Sequence, residues 1–221
     1  MQKIAAVIPA FNAAGMLSPL IEAIHTSYPH LSVIVVDDGS TDNSGDVARW
    51  HGATVLSHET NRGKGAALRT GFTYALEHGF DAVITLDADL QHAPEEIQRF
   101  LDEYFWDDLI LIGVRRLGSG MPLERKISNS LSSFVASVVS GARISDSQCG
   151  FRLIPARVLR SINLQSTHYD LEPELLIRAV RAGFRVRGIP ISTIYNDSPS
   201  SIRPARDTLR FLQMLVRSLF W

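Results

Sequence analysis

Over the first hundred residues, short unbroken apolar runs alternate with stretches whose apolar positions recur every three or four residues. Ile4-Ala-Ala-Val-Ile8 and Ser32-Val-Ile-Val-Val36 show no polar alternation, the pattern of strands covered on both faces in a parallel sheet. Thr54-Val-Leu56, Ala82-Val-Ile-Thr-Leu86 and Leu109-Ile-Leu-Ile112 predict three further strands. Between them lie three amphipathic stripes: Leu17, Leu20, Ile21, Ile24; Leu68, Phe72, Ala75, Leu76; and Ile97, Phe100, Leu101, Tyr104. Asp42 or Asn43 is placed to cap a helix running to Trp50, and Pro94 stands where helices start. Strand and helix alternating through short connections predict an α/β fold, a Rossmann-like, mainly parallel sheet flanked by helices. Ligands of such sheets sit beyond the carboxyl ends of the strands, where residues 9–12, 37–42, 87–92 and 115–116 all fall.

Further along, Leu131, Phe134, Val135 and Val138 mark a helix within 123–141, and Gly150-Phe-Arg-Leu-Ile154 a short strand. Pro173–Ala182 reads as a helix and Arg185–Ile194 as a strand interrupted by Pro190. From Pro204 to Trp221 the spacing predicts one amphipathic helix. Leu209, Leu212, Leu215, Val216 and Leu219 are apolar, and Arg206, Arg210 and Arg217 are basic. The expectation is one domain over 1–200 and a C-terminal amphipathic helical extension over 201–221.

Composition narrows the class. The 221 residues are 45% hydrophobic and 20% charged, which excludes a disordered chain and allows a core without staples. The single Cys149 excludes an intramolecular disulfide framework and a cysteine-cluster metal site. No apolar run approaches the roughly 18 residues of a membrane span, and the chain opens on a strand pattern rather than a signal peptide. The expectation is a protein of the reducing cytoplasm that crosses no membrane.

The net charge of −1 conceals an asymmetry. Residues 1–150 carry 11 basic and 18 acidic side chains (−7), whereas residues 151–221 carry 11 arginines and 5 acids (+6). Two explanations stand side by side: an acidic cation site followed by a segment for an anionic partner, or simple attraction between the two parts. No basic platform interleaved with aromatics is present, so a nucleic-acid partner has no support.

Three loops carry candidate chemistry. Asp87-Ala-Asp89-Leu-Gln91 follows the fourth predicted strand. Its two carboxylates can share one hard cation, Mg²⁺ or Mn²⁺, that keeps places open for phosphate oxygens, and Gln91 adds a neutral oxygen. The same residues also read as a polar loop whose aspartate caps the next helix. In Asp37-Asp-Gly-Ser-Thr-Asp42, Asp42 reads as a cap and Gly39 as a turn residue. Alternatively, Asp38 accepts hydrogen bonds from the N–H edge of a nucleobase, uracil or guanine alike. Gly63-Lys64-Gly65 before a helix reads as a small phosphate loop, but not a Walker motif, because Gly65 stands where Ser or Thr is needed. No G-x-G-x-x-G follows the first strand and no G-x-S-x-G occurs, against a dinucleotide oxidoreductase and a serine hydrolase.

Five segments together carry a resemblance. Val7-Ile-Pro-Ala-Phe-Asn12, Val35-Val-Asp-Asp-Gly-Ser-Thr-Asp42, Arg62-Gly-Lys-Gly-Ala-Ala67, Leu86-Asp-Ala-Asp-Leu-Gln-His92 and Asp146-Ser-Gln-Cys-Gly-Phe-Arg152 stand in the order and spacing of family 2 glycosyltransferases of the GT-A fold. Over nearly its whole length the chain most resembles the dolichyl- and polyprenyl-phosphate sugar transferases. The resemblance implies that Pro9, Phe11 and Asp38 hold the nucleoside, with Lys64 also on the nucleotide-sugar. It implies that Asp87, Ala88, Asp89 and Gln91 form the metal and diphosphate segment, with Asp87, Asp89 and Gln91 on the metal. Arg115, in Ile112-Gly-Val-Arg115, matches an arginine that contacts the nucleotide-sugar. The chain departs from the pattern at Ala13, where the subgroup often has an acid, and at Ser201-Ile-Arg-Pro204, where mannose-transferring members carry a basic segment. Arg203 and Arg206 are the residues left there for an acceptor phosphate. Gln148-Cys149-Gly150-Phe151 looks like the glucose-transferring members, which tips the donor toward a UDP-sugar over GDP-mannose.

The implied activity is metal-dependent, inverting sugar transfer from a nucleotide-sugar to a polyprenyl or dolichyl phosphate at the cytoplasmic membrane face. Asp89 and Arg115 would act on the leaving diphosphate. A lipid phosphate is ionised near neutral pH, its second pKa being about 6 by analogy with phosphorylated side chains, and needs little or no general base. A hydroxyl acceptor would need one, and Asp146 is then the candidate, with a turn or cap aspartate as the alternative. The C-terminal helix either lies in a membrane interface or packs its leucines on the domain. The Ser/Ala/Val-rich helix of 123–141 is a possible contact surface for a second copy. Rival readings are a sugar-nucleotide pyrophosphorylase, which uses a glycine-rich loop where Pro9-Ala-Phe-Asn12 stands, and a non-catalytic sugar-nucleotide-binding module.

Overall fold

The unbroken apolar runs become a seven-stranded sheet because their successive side chains serve two different helical layers. In the computed structural model, which describes residues 2–115, 123–192 and 204–221, Ala6 and Ile8 of β1 (Ile4–Ala10) enter one core, and Ala5 and Val7 enter the other. Strand β2 (Ser32–Asp37) divides the same way, Val33 and Val35 against Ile34 and Val36. The first layer holds α1 (Ala14–Ser27), α2 (Ser44–Trp50) and α4 (Ile97–Asp102), the last preceded by a 3-10 turn at Pro94–Glu96. The second holds α3 (Lys64–Glu77), α5 (Leu123–Ser140), α6 (Ala156–Ser161), α7 (Leu171–Arg181) and α8 (Pro204–Ser218). Each large aliphatic side chain enclosed this way contributes about 1.5–3 kcal/mol.

The remaining strands are β3 (Thr54–Ser57), β4 (Ala82–Thr85), β5 (Leu109–Arg115), β6 (Arg152–Pro155) and β7 (Arg185–Ile191). Their order is β3-β2-β1-β4-β6-β5-β7. All neighbours are parallel except β6, which runs against both β4 and β5. That reversal matters for the site. With Thr85 paired to Arg152, the segment leading into β6 arrives beside the carboxyl end of β4. Pro190 is accommodated because β7 is an edge strand, where a missing N–H breaks no ladder on the open side.

Two helices differ from their sequence patterns. Leu131, Phe134 and Val138 of α5 are 60%, 66% and 66% exposed, and the buried face is Ser132, Ser133 and Ala136. Small side chains are needed there because the helix sits against Ser147, whose Oγ lies 3.1 Å from Ser132 Oγ and whose N–H donates to Ser133 Oγ at 2.9 Å. Helix α8 is apolar on two faces. Phe211, Met214, Leu215 and Trp221 pack into the second core, with the Arg178 guanidinium 3.7 Å from the Trp221 ring centre. Leu209, Leu212, Val216, Leu219 and Phe220 are exposed. Arg181 joins the ends of both helices, donating to the backbone oxygens of Val139, at 2.9 Å, and Ser218.

Candidate active site

The carboxyl ends of β1, β2, β4 and β5 face one rim, and the residues there are laced together by short-range polar contacts. Asn12, held at a left-handed φ of 51°, accepts from the Thr41 N–H at 2.8 Å and donates its own N–H to Ser40 Oγ at 2.9 Å. Asp42 accepts from the N–H groups of Ala14 and Ser44, so it ties the starts of α1 and α2 together. Phe11 stands 47% exposed just beyond β1, beside the half-buried Pro9.

Asp38 has a role within the fold that its motif does not announce. Its carboxylate is buried and accepts from Arg62 N–H at 2.9 Å, Gly63 N–H at 2.7 Å and the His58 ring at 2.6 Å. It therefore pins the turn before α3 to the end of β2. Gly63 has φ +98°, and a Cβ there would lie 2.4 Å from Thr167 O. The Ala66 N–H donates to that same oxygen at 3.0 Å. The Gly63 and Ala66 N–H groups are taken by Asp38 and Thr167, and what this segment delivers to the rim is the lysine side chain.

Lys64 Nζ lies 2.6 Å from Asp87 Oδ1 and 2.6 Å from Glu172 Oε1, bridging the end of β4 and the first turn of α7. Burial pulls its pKa down, but the two carboxylates outweigh burial and hold it well above the ordinary lysine value. Burial likewise opposes ionisation of Asp87, and the Lys64 charge overcomes it, leaving Asp87 below the usual carboxylate range. Asp89 goes the other way: burial and then the charge of Asp87 raise it. Asp89 also accepts from Gln91 N–H at 3.0 Å, in a turn where Leu90 adopts φ 57°, an uncommon conformation for a non-glycine residue. Gly150 makes this packing possible, because a Cβ there would lie 2.5 Å from Asp87 Oδ2.

A second ion pair closes the rim. Arg115, the last residue of β5, makes two parallel bonds to Asp146, Nε to Oδ2 at 2.8 Å and Nη2 to Oδ1 at 2.9 Å. Oδ1 also accepts from the Gln148 N–H at 3.2 Å. The segment between Asp146 and β6 is anchored by Arg152, whose fully enclosed guanidinium donates to the backbone oxygens of Cys149, Ser147 and Glu172. Cys149 is buried with its thiol pushed up to about 12, chiefly by burial, as fits a packed side chain and not a nucleophile. His92 is buried beside the aspartates with Nδ1 lacking a hydrogen-bond partner, and burial lowers its pKa.

Of the residues singled out in the sequence, Lys64, Asp87, Ala88, Asp89, Gln91, Arg115 and Asp146 fall at the β4–β5 part of the rim, and Pro9, Phe11 and Asp38 at the β1–β2 part. Arg206 is exposed near the start of α8, within electrostatic range of His168. Arg116 and Arg203 lie outside the described residues. The sequence reading missed Glu172 and the bracing role of Arg152. Glu172 sits in Asp170-Leu-Glu-Pro-Glu174, which looks like an ordinary acidic helix start. Among the described residues no group of three or more His, Cys, Asp or Glu is arranged to hold a metal. A cation at this rim would therefore rest on Asp87, Asp89 and the neutral Gln91 oxygen. The donors are all oxygens, and burial and then the neighbouring Asp87 charge raise Asp89, strain that a hard divalent ion would relieve.

A mainly parallel sheet with one reversed strand, gathering an Asp-x-Asp turn at its carboxyl edge, is the architecture of a GT-A glycosyltransferase. The chain belongs to glycosyl transferase family 2, whose family model matches residues 5–163. It is 31% identical over 204 residues to the undecaprenyl-phosphate mannosyltransferase of Micrococcus luteus, covering 87% of this chain and 84% of that protein. It is 28% identical over 215 residues to the UDP-N-acetylglucosamine–dolichyl-phosphate N-acetylglucosaminyltransferase of Methanococcus voltae, covering 86% and 85%. The glucosyl-3-phosphoglycerate synthase of Mycobacterium tuberculosis, crystallised with Mn²⁺, UDP and glucosyl-3-phosphoglycerate, shares the fold with a TM-score of 0.74 at 18% identity, over 99% of this chain and 78% of that one.

Proposed function

We propose that this glycosyltransferase moves a sugar from a nucleotide-sugar, a UDP-sugar in the favoured case, to a polyprenyl phosphate with inversion. The observation that carries the choice of acceptor is the Arg115–Asp146 fork. Asp146 was the candidate base for a hydroxyl acceptor, and both its oxygens are engaged by Arg115. Taking a proton there means breaking a two-bond ion pair. An acceptor that arrives ionised avoids that step. Its phosphate oxygen attacks the anomeric carbon as the bond to the diphosphate oxygen breaks, and the electron pair leaves on the nucleoside diphosphate. Asp146 is then the residue that aims Arg115 at the diphosphate. Pro9 and Phe11 line the nucleoside end, and Asp38 backs it by fixing the turn that carries Lys64.

The relatives that act on undecaprenyl and dolichyl phosphates support this acceptor, and the UDP- and Mn²⁺-bound fold neighbour supports the donor class and a divalent cation, Mg²⁺ or Mn²⁺. When bound, that cation supplies charge neutralisation to the departing diphosphate. Asp87, Asp89 and Gln91 would hold it. Arg206, and with it Arg203, is our assignment for the acceptor phosphate. Among the described residues no helix is long and apolar enough to cross a membrane. The outward stripe of α8, flanked by arginines, is our candidate for peripheral contact with the lipid surface where the acceptor resides.

The test is incubation with polyprenyl phosphate, Mg²⁺ or Mn²⁺, and labelled UDP-glucose or GDP-mannose in parallel, counting label in the organic phase. Metal-dependent label from one donor, absent with Asp89→Ala, is the expected result. Nucleotide binding without lipid-linked label from either donor would sink the lipid-phosphate reading.

A further inference from the structure

Glu172 is 4% exposed; Lys64 Nζ lies 2.6 Å from its Oε1, and its Oε2 has no hydrogen-bond partner. A buried carboxylate oxygen left without a donor is costly, so its retention calls for an explanation. Lys64 is shared at equal distance, 2.6 Å, between this carboxylate and Asp87. Asp87 also belongs to the pair of aspartates that would hold the cation. An ammonium and a divalent ion on the same carboxylate oxygen repel each other, so an ion that takes Asp87 Oδ1 competes with Lys64 there, and a second anion for Lys64 relieves that competition.

We propose that Glu172 is that second anchor: a positioning residue that receives Lys64 when a divalent cation takes Asp87, the ammonium moving from a shared position onto both Glu172 oxygens. The backbone is braced for this, since Arg152 Nη1 donates to Glu172 O at 2.7 Å and Glu172 lies in the first turn of α7. Lys64 stays in the site, close to where the diphosphate would lie, instead of being expelled by the ion. This inference rests on the cation reading above and adds to it a coupling between Lys64 and Glu172.

The test measures binding of Mn²⁺ by electron paramagnetic resonance, with and without UDP and with no acceptor, in wild type, Glu172→Gln, Lys64→Met and the double variant. Glu172→Gln is expected to lower Mn²⁺ affinity by about 10- to 100-fold, the range for residues that act on a metal site through another group. In the Lys64→Met background the same substitution is expected to have little effect. Circular dichroism checks folding, and Lys64→Gln replaces Lys64→Met if the latter does not fold. An equal loss in both backgrounds, or none in either, would overturn the coupling while leaving the cation reading intact. Failure of wild type to bind Mn²⁺ even with UDP would overturn both.

Discussion

Arg115 and Asp146, 31 residues apart, meet through two parallel hydrogen bonds of 2.8 and 2.9 Å at the end of β5. The segment between α5 and the reversed strand β6 returns the chain to the rim, and Arg152, where β6 begins, fixes the backbone at Ser147 and Cys149. A planar guanidinium held in a two-bond fork by a carboxylate is fixed in orientation, which suits recognition of a phosphate.

If Asp146 acts by aiming Arg115, the two form one unit. Arg115→Lys keeps the charge but loses the fork, and Asp146→Asn removes the carboxylate that makes it. Each is expected to lower kcat by about 10²-fold, and the double variant no further, since both damage the same interaction. A base role predicts otherwise: Asp146→Asn alone would remove the acid limb of the pH profile, and Arg115→Lys would leave that limb in place. Steady-state kinetics against pH separate the two.

Asp89 gives a prediction on stability. Its carboxyl is raised above the ordinary value, by burial and then by Asp87, so the folded protein binds a proton there more tightly than the unfolded chain does. The ionised form is therefore unfavourable to folding above that raised value. The penalty fades as pH falls through it toward the unfolded value. Without metal at neutral pH, Asp89→Asn is expected to raise Tm by about 2 °C or more, and the gain should shrink on acidification. The same variant loses metal-dependent transfer. Differential scanning fluorimetry in chelator, from neutral to acidic pH, reads the first effect. A lower Tm at neutral pH would mean that the Asp89 charge is compensated within the chain.

Gly150→Ala probes how closely the β6 approach is fitted to the Asp-x-Asp turn. The added Cβ would fall 2.5 Å from Asp87 Oδ2, and Lys64 holds the other Asp87 oxygen, so the carboxylate has little room to yield. The variant is expected to fold, with Mn²⁺ affinity down about tenfold or more. Mn²⁺ affinity equal to wild type would show that Asp87 moves freely or does not hold the ion.

The sheet was legible because unbroken β-branched runs ending in Pro9, Asp37 and Asp87 leave few alternatives for a chain of this length. The rim was legible too, since strand ends in such a sheet converge whatever their order. Partnerships made across long sequence separations were not. Nothing local says that Lys64 reaches Glu172, or that Asp38 spends its oxygens on the Arg62–Gly63 turn instead of facing outward. Helix α5 misled for another reason. Periodicity reports that a helix has an apolar stripe, not which side the fold covers, and here the covered side is the one small enough to sit against Ser147.

The two apolar faces of α8 can be told apart by experiment. Met214 is 1% exposed, so Met214→Ala opens a cavity and is expected to destabilise the protein by about 2–5 kcal/mol. Leu212 is 52% and Val216 60% exposed on the opposite side of the helix, so Leu212→Ser with Val216→Ser should each change stability by no more than about 0.5 kcal/mol. If the outer face meets the lipid surface, the double serine variant loses sedimentation with vesicles containing anionic lipid, while Mn²⁺ and UDP binding are unchanged. Adding salt should weaken wild-type binding only in part. Arg206 and Arg217 contribute a screened attraction, and the leucines contribute apolar burial that salt does not remove. Full retention of vesicle binding by the double variant would assign the outer face of α8 to something other than the membrane.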